Sequence, residues 1–358
     1  MFRAMKALPI LFFISLFLAS CGGGGGSSSS SSSGVATDNT KATGTFRYVL
    51  FHGYSTSESP SMSVEIGTAT FDGAGGVTRQ VISPGNESDS FSYTAKVDNS
   101  ITFSDFVGTI RSNGNFIVLS STSSGSEMIL FMVKNSGTAT DTARTYHTVQ
   151  FLNTSTTGSV YESSAMMIES DWASPSTGNL RWRMLSGLQN ISGTNNYTFA
   201  NTSGIFMIHT TTNAFFAMDE EYGSLSPDDE IMIAGDAIIN KDDYVLGAVG
   251  LEAPGIAMSA ADLSGTFIVH QYMDEDVSVG DFTTTRTSVT FDGYSIATYS
   301  TLASSTGSSD TGSIKYTVAA DGSLDLEGQA GYMLEDGSVF TFGDYTGSSV
   351  NIQVGIKK

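Results

Sequence analysis

The chain is 358 residues long and holds one cysteine, six prolines, two tryptophans and four histidines. One cysteine excludes an internal disulfide, so stability has to come from burial and backbone hydrogen bonding. There is no C-x-x-C and no H-x-x-x-H pair, so a zinc site has no visible ligand set. No G-x-x-x-x-G-K loop, no strand–G-x-G-x-x-G–helix unit and no G-x-S-x-G elbow occurs, so no nucleotide or other cofactor is expected. Cations are scarce too. Sixteen Lys and Arg stand against 36 Asp and Glu, a formal charge of −20. Such a surface repels phosphate backbones, which argues against nucleic acid as a partner, and it repels anionic lipid heads as well. The acidic clusters Asp228-Asp229-Glu230, Asp242-Asp243 and Asp274-Glu275-Asp276 lack the alternating spacing that wraps oxygens around calcium, so no metal is expected.

What is present at the start is an address. Arg3 and Lys6 precede the apolar run ALPILFFISLFLAS, which is too short for a stable span and is built like a secretory signal. It ends Leu18-Ala19-Ser20-Cys21, and a glycine and serine tract follows at once. These four residues resemble the lipobox of bacterial lipoproteins, position by position. The resemblance implies that residues 1–20 are a signal peptide and that Cys21 becomes an acylated N-terminus. The membrane is then a partner through that acyl anchor. Gly22, where many inner-membrane lipoproteins carry Asp, implies the outer membrane, with either leaflet open. Removing residues 1–20 takes away two cations and no acid and moves the formal charge from −20 to −22. Residues 21–43 form a flexible linker with a root-mean-square span of roughly 25 Å.

Residues 44–358 are short runs rich in Thr, Val, Ile, Phe and Tyr, closed by turn pairs such as Asp72-Gly73, Asn113-Gly114, Asp292-Gly293 and Asp336-Gly337. The pattern is all-β and it repeats. Gly44-Thr45-Phe46 recurs as Gly265-Thr266-Phe267, and Thr70-Phe71-Asp72-Gly73 as Thr290-Phe291-Asp292-Gly293. A worn middle copy holds Thr145-Tyr146 and Tyr197-Thr198, with extra residues around His209–Glu220. Three tandem antiparallel meander repeats are therefore expected, at 44–136, 144–254 and 265–358. The order of the opening GTF strand, the TFDG strand, the YT strand and the closing strand ending in Lys resembles the lipocalin-like (calycin) domains of bacterial lipoproteins. That resemblance implies barrel-like modules. The alternative is a single six-bladed β-propeller. Val49-Leu50-Phe51 and Ile129–Val133 favour it, because strands apolar at consecutive positions are covered on both faces. Packing between neighbouring barrels gives the same pattern.

Chemistry is sparse. His52 aligns with Met273 and His270 with Val49, so no histidine is repeated; local hydrogen bonds are the expectation for all four. Asp310-Thr311-Gly312 resembles the aspartic-protease triplet, but that chemistry needs a second carboxylate and no second triplet occurs. The candidate ligand or partner contacts are Phe215 and Phe216 in the middle insertion, and Trp172 and Trp182, which can offer stacking faces. The expectation is a non-enzymatic, lipid-anchored envelope protein that binds a protein partner, a glycan or a small apolar ligand. A hydrolase on a propeller-like fold and a purely structural envelope role are the alternatives.

Overall fold

A computed structural model describes residues 35–54, 61–83, 85–121, 127–135, 144–155, 161–172, 177–186, 192–200, 205–209, 221–236, 244–275, 281–344 and 349–358, and gives backbone alone for most of 152–222. Its strands fall into three antiparallel sheets, each of eight strands and each closed on itself. Barrel 1 contains β1 (Thr43–Tyr54), β2 (Ser61–Asp72), β3 (Gly76–Ser83), β4 (Ser88–Ala95), β5 (Ser100–Phe103), β6 (Phe106–Ile110), β7 (Phe116–Ser121) and β8 (Glu127–Lys134). Barrel 2 contains β9 (Arg144–Ser155), β10 (Tyr161–Trp172), β11 (Thr177–Ser186), β12 (Ser192–Ala200), β13 (Ile205–His209), β14 (Glu221–Leu225), β15 (Ile231–Asp236) and β16 (Tyr244–Glu252). Barrel 3 contains β17 (Gly265–Asp274), β18 (Phe282–Phe291), β19 (Ile296–Ser304), β20 (Thr311–Val318), β21 (Ser323–Leu326), β22 (Gln329–Met333), β23 (Val339–Asp344) and β24 (Val350–Lys357). In each barrel every strand pairs with its neighbour in sequence, and the first strand pairs with the last. Closure leaves no free edge to aggregate.

Strand alternation sorts the side chains into two cores. In barrel 1 Phe46, Tyr48, Leu50, Phe71, Val77, Tyr93, Ile101, Leu119 and Met132 point inward. A one-turn 3-10 segment, Asn39–Lys41, plugs one end: Tyr93 Oη donates to the Asn39 and Ala42 carbonyls at 2.9 and 2.8 Å. In barrel 3 the 3-10 segment Ala260–Leu263 does the same, with Leu263 fully buried. The alternate residues point outward and are buried as well. Val49, Phe51, Phe116, Phe131, Val149, Phe151, Ile233, Val249, Tyr272, Phe282, Val339 and Val354 form one apolar core to which all three barrels contribute. On its centre Phe51, Phe151 and Tyr272, each from the first strand of its barrel, meet with centroid distances of 5.4–6.5 Å.

The contacts run head to tail around a ring. β7 and β8 pack on β17 and β18, β15 and β16 pack on β1 and β2, and β23 and β24 pack on β9 and β10. The last two strands of each barrel thus meet the first two of another, and three such heterologous contacts close. This overturns the six-bladed propeller. The sheets are eight-stranded and closed rather than four-stranded blades. Strands covered on both faces arise because one face fills a barrel and the other fills the core between barrels.

Polar groups complete the seam. Arg111 follows β6 and is 2% exposed. Its Nε donates to Ser338 Oγ at 2.8 Å, and its guanidinium pairs with Asp228 at 3.3 Å, Glu230 at 2.5 Å and Asp336 at 2.7 Å. One cation from barrel 1 therefore holds the β14–β15 hairpin of barrel 2 and the β22–β23 hairpin of barrel 3. In barrels 1 and 3 these turns lie at the plugged ends, Gly114 beside Lys41 and Gly337 beside Asp262. Asp229, at φ +57°, holds the left-handed turn position that Gly114 and Gly337 hold in the other two hairpins.

Candidate functional site

Among the described side chains, a cluster of charged groups faces into barrel 1, toward the end away from the plug. They arise from a simple anomaly. In β3 the inward residues are Val77, Arg79 and Val81, so an arginine sits on the apolar face. In β2 the inward residues include Glu65, Gly67, Ala69 and Phe71. Tyr48 on β1 lies directly over Gly67. A Cβ there would come within 2.4 Å of Tyr48 Oη and 2.3 Å of the Gln80 carbonyl, so only glycine leaves room for the ring. The hydroxyl then reaches Glu65 Oε1 at 2.5 Å. Arg79 Nη1 donates to the same oxygen at 3.3 Å, and Nη2 donates to Asp89 Oδ2 at 2.7 Å.

Aromatic rings stand beside this chain of polar groups. The Arg79 guanidinium lies 5.7 Å from the centroid of Phe91. Phe91 meets Phe103 edge to face at 5.2 Å, and Phe103 stacks on Phe106 at 6.2 Å. Arg79 and Glu65 each keep 23% side-chain exposure and Asp89 keeps 42%, so water reaches the cluster. Arg79 Nε is buried and makes no hydrogen bond among the described residues.

Burial governs the protonation of these groups. It pushes the Glu65 carboxyl above its ordinary range against the pull of Tyr48 and Arg79. Burial also pushes the Tyr48 hydroxyl up, and Glu65 adds to that. Arg79 loses hydration, yet Glu65 and Asp89 hold its guanidinium firmly charged. His52, inward on β1 at the same end, is lowered to about 4 by burial and is neutral at pH 7. Two acids and one cation in an aromatic-walled lumen can orient a ligand that has a polar end and an apolar body.

The residues singled out in the sequence are placed as follows. Cys21 and the pair Phe215 and Phe216 lie outside the described residues. Trp172 and Trp182 are on neighbouring strands, opposite Leu180 and Ser170, and their side chains are not described. Asp310 of the protease-like triplet is exposed and accepts a hydrogen bond from Tyr299 Oη at 2.9 Å. Asp228 and Glu230 are engaged with Arg111, and among the described residues no group of three His, Cys, Asp or Glu is placed to hold a metal ion.

Among the described residues, His270 meets a serine. His270 Nδ1 lies 2.9 Å from Ser120 Oγ and Nε2 lies 3.2 Å from Thr109 Oγ1. It is a seam between barrels 1 and 3: His270 is fully buried, Ser120 is 1% exposed, and burial lowers the imidazole to about 3. A base so weak and so sealed cannot activate a nucleophile toward substrate. Sequence pattern alone passed over Tyr48, Glu65, Arg79 and Asp89. The signal that finds them is a charged residue in phase with the apolar face of a strand, as in Val77-Thr78-Arg79-Gln80-Val81. No protein-family model matches the chain, and no curated protein matches it.

Proposed function

We propose that this protein is a non-enzymatic, lipid-anchored scaffold of the cell envelope, and that barrel 1 holds a small amphiphilic ligand. The three barrels are copies of one lipocalin-like unit in this reading, as the recurring GTF and TFDG segments suggest. An eight-stranded barrel is just wide enough for one small ligand. The observation that carries the reading is Arg79, a charged side chain with an unused Nε donor, set inside a lumen beside Phe91. The ligand's apolar body lies along Phe91, Phe103 and Phe106, and its polar end meets Arg79 and Asp89. Acylation of Cys21 tethers the protein through the flexible linker.

Two measurements test this. Native mass spectrometry of the protein purified from its own envelope fraction should show a small molecule bound to wild type and reduced at least about tenfold in Arg79→Met and Glu65→Gln. An unliganded wild type that also fails to take up amphiphiles such as laurate or sphingosine would sink the barrel-1 assignment. Metabolic labelling with a clickable fatty acid should mark wild type and leave Cys21→Ala unmarked; an unmarked wild type rejects the anchor. No observation favours the hydrolase reading over this one.

A further inference from the structure

The lumen of barrel 3 differs in chemistry from that of barrel 1. Toward its plug it is filled: Phe267, Phe291, Tyr316, Phe340 and Phe342 are all buried and in mutual contact. Toward the other end the inward register positions include Gln271, Thr283, Thr285, Gln329, Asn351 and Gln353, with Asp344 opposite Asn351 and its side chain not described. Gln271, Thr285, Gln329 and Gln353 keep partial exposure although the sheet around them is closed. Inward residues of a filled barrel are sealed, so water enters this one.

The polar groups there are organised. Gln353 Nε2 donates to Gln329 Oε1 at 3.0 Å and to Asn351 Oδ1 at 3.1 Å, which fixes three amides in one array. Thr283 is 4% exposed and its Oγ1 is buried with no hydrogen-bond partner among the described residues. A buried hydroxyl left without a partner is destabilising, so it calls for one from a ligand. The ionisable residues at this end are acids: Asp344 stands at the register position opposite Asn351, and Asp310 accepts from Tyr299 Oη at 2.9 Å. An apolar ligand would strip the amides of water and give nothing back. An anionic ligand would meet these acids and no cation among the described side chains there. What fits is a neutral molecule with many hydroxyls and an apolar underside to rest on the aromatic floor.

We infer that the open half of barrel 3 is a second binding site, for an uncharged polyhydroxylated ligand the size of one or two sugar rings. It extends the proposed binding role to another lumen and does not depend on the barrel-1 ligand. The test uses the full chain in a polyoxyethylene detergent, which carries no sugar head. Glucose, maltose, cellobiose and N-acetylglucosamine are titrated by saturation-transfer NMR and calorimetry, beside glucuronate and laurate.

At least one neutral sugar should bind. Thr283→Val, which keeps the side-chain shape and removes only the hydroxyl, should weaken it by about tenfold, and Gln353→Leu by at least that much. Arg79→Met should leave it unchanged, which separates this site from barrel 1. Glucuronate should bind about tenfold more weakly than glucose. No neutral sugar binding at about 20 mM, or binding that ignores Thr283→Val, overturns the inference. So does laurate displacing the sugar from wild type but not from Arg79→Met. If Gln353→Leu does not fold, Thr283→Val decides alone.

Discussion

Asp229 and His270 are buried titratable side chains with opposite pH signatures. Asp229 is 1% exposed; burial raises its carboxyl to about 6, with Arg144 at 3.5 Å opposing and Asp228 and Glu252 adding. Its folded value lies above the unfolded one, near 3.8. The stability it contributes is therefore full below pH 3.8 and is lost as pH rises through about 6. Asp229→Asn removes the buried charge and suits the left-handed turn. It should gain about 1–3 kcal/mol at pH 7.5 and little at pH 3.5, read by urea unfolding at both. An equal gain at both values would show that the turn, not the charge, is responsible. His270 runs the other way. Burial and the nearby Arg286 lower its imidazole from 6.5 to about 3. Its contribution is full above pH 6.5 and is lost as pH falls toward 3. His270→Gln keeps hydrogen-bonding capacity without a titrating proton, so it should flatten the acid limb by about 3 kcal/mol between pH 7 and pH 4. An unchanged acid limb would place the sensitivity elsewhere.

At the scale of the strand, the sequence carries two alternating patterns laid over each other. In β1 Phe46, Tyr48 and Leu50 line a barrel, while Val49 and Phe51 line the core between barrels. A run of consecutive apolar residues says only that both faces are covered. It cannot say by what, which is why the run leans toward a propeller while packed barrels produce the same pattern. The turns were legible because Asp-Gly and Asn-Gly pairs have a local cause. The hub at Arg111 was not, because its partners Asp228, Glu230 and Asp336 are more than a hundred residues away and are brought in by barrel packing. The same holds for the cluster in barrel 1: β2, β3 and β4 each carry one polar residue in phase with apolar neighbours, and closure turns three minor anomalies into one site. Phe51 tests the covered outer face. It touches Phe131, Phe151 and Tyr272, and it faces away from the lumen. Phe51→Ala should cost about 3–5 kcal/mol. It should leave ligand binding in barrel 1 intact at temperatures where the variant is folded. A cost below about 1 kcal/mol would mean the three barrels do not depend on this core.

For the whole molecule, the ring of heterologous contacts makes a specific demand on its parts. Barrel 1 presents two apolar faces, β1 with β2 and β7 with β8, and in the intact chain each meets a different neighbour. Cut out as residues 35–135, it would expose Val49, Phe51, Val64, Phe116, Phe131 and Val133 together, a patch that monomeric proteins rarely tolerate. Each face meets the partner type that the other face supplies, so copies can pack head to tail through the rotation that closes the intact ring. The Arg111 hub favours the native arrangement over this one. In a ring of identical barrels three arginines would meet with Asn113 and no carboxylate opposite, where the native hub sets one cation among three acids. The excised barrel should therefore associate, with a trimer as the smallest closed form, and Arg111→Ser should tighten that trimer while destabilising the full chain. Light scattering after size exclusion at about 10 μM decides it. A folded monomer at that concentration would show that barrel 1 is stable with its outer face wet, and would remove the reason for reading the three barrels as one cooperative unit.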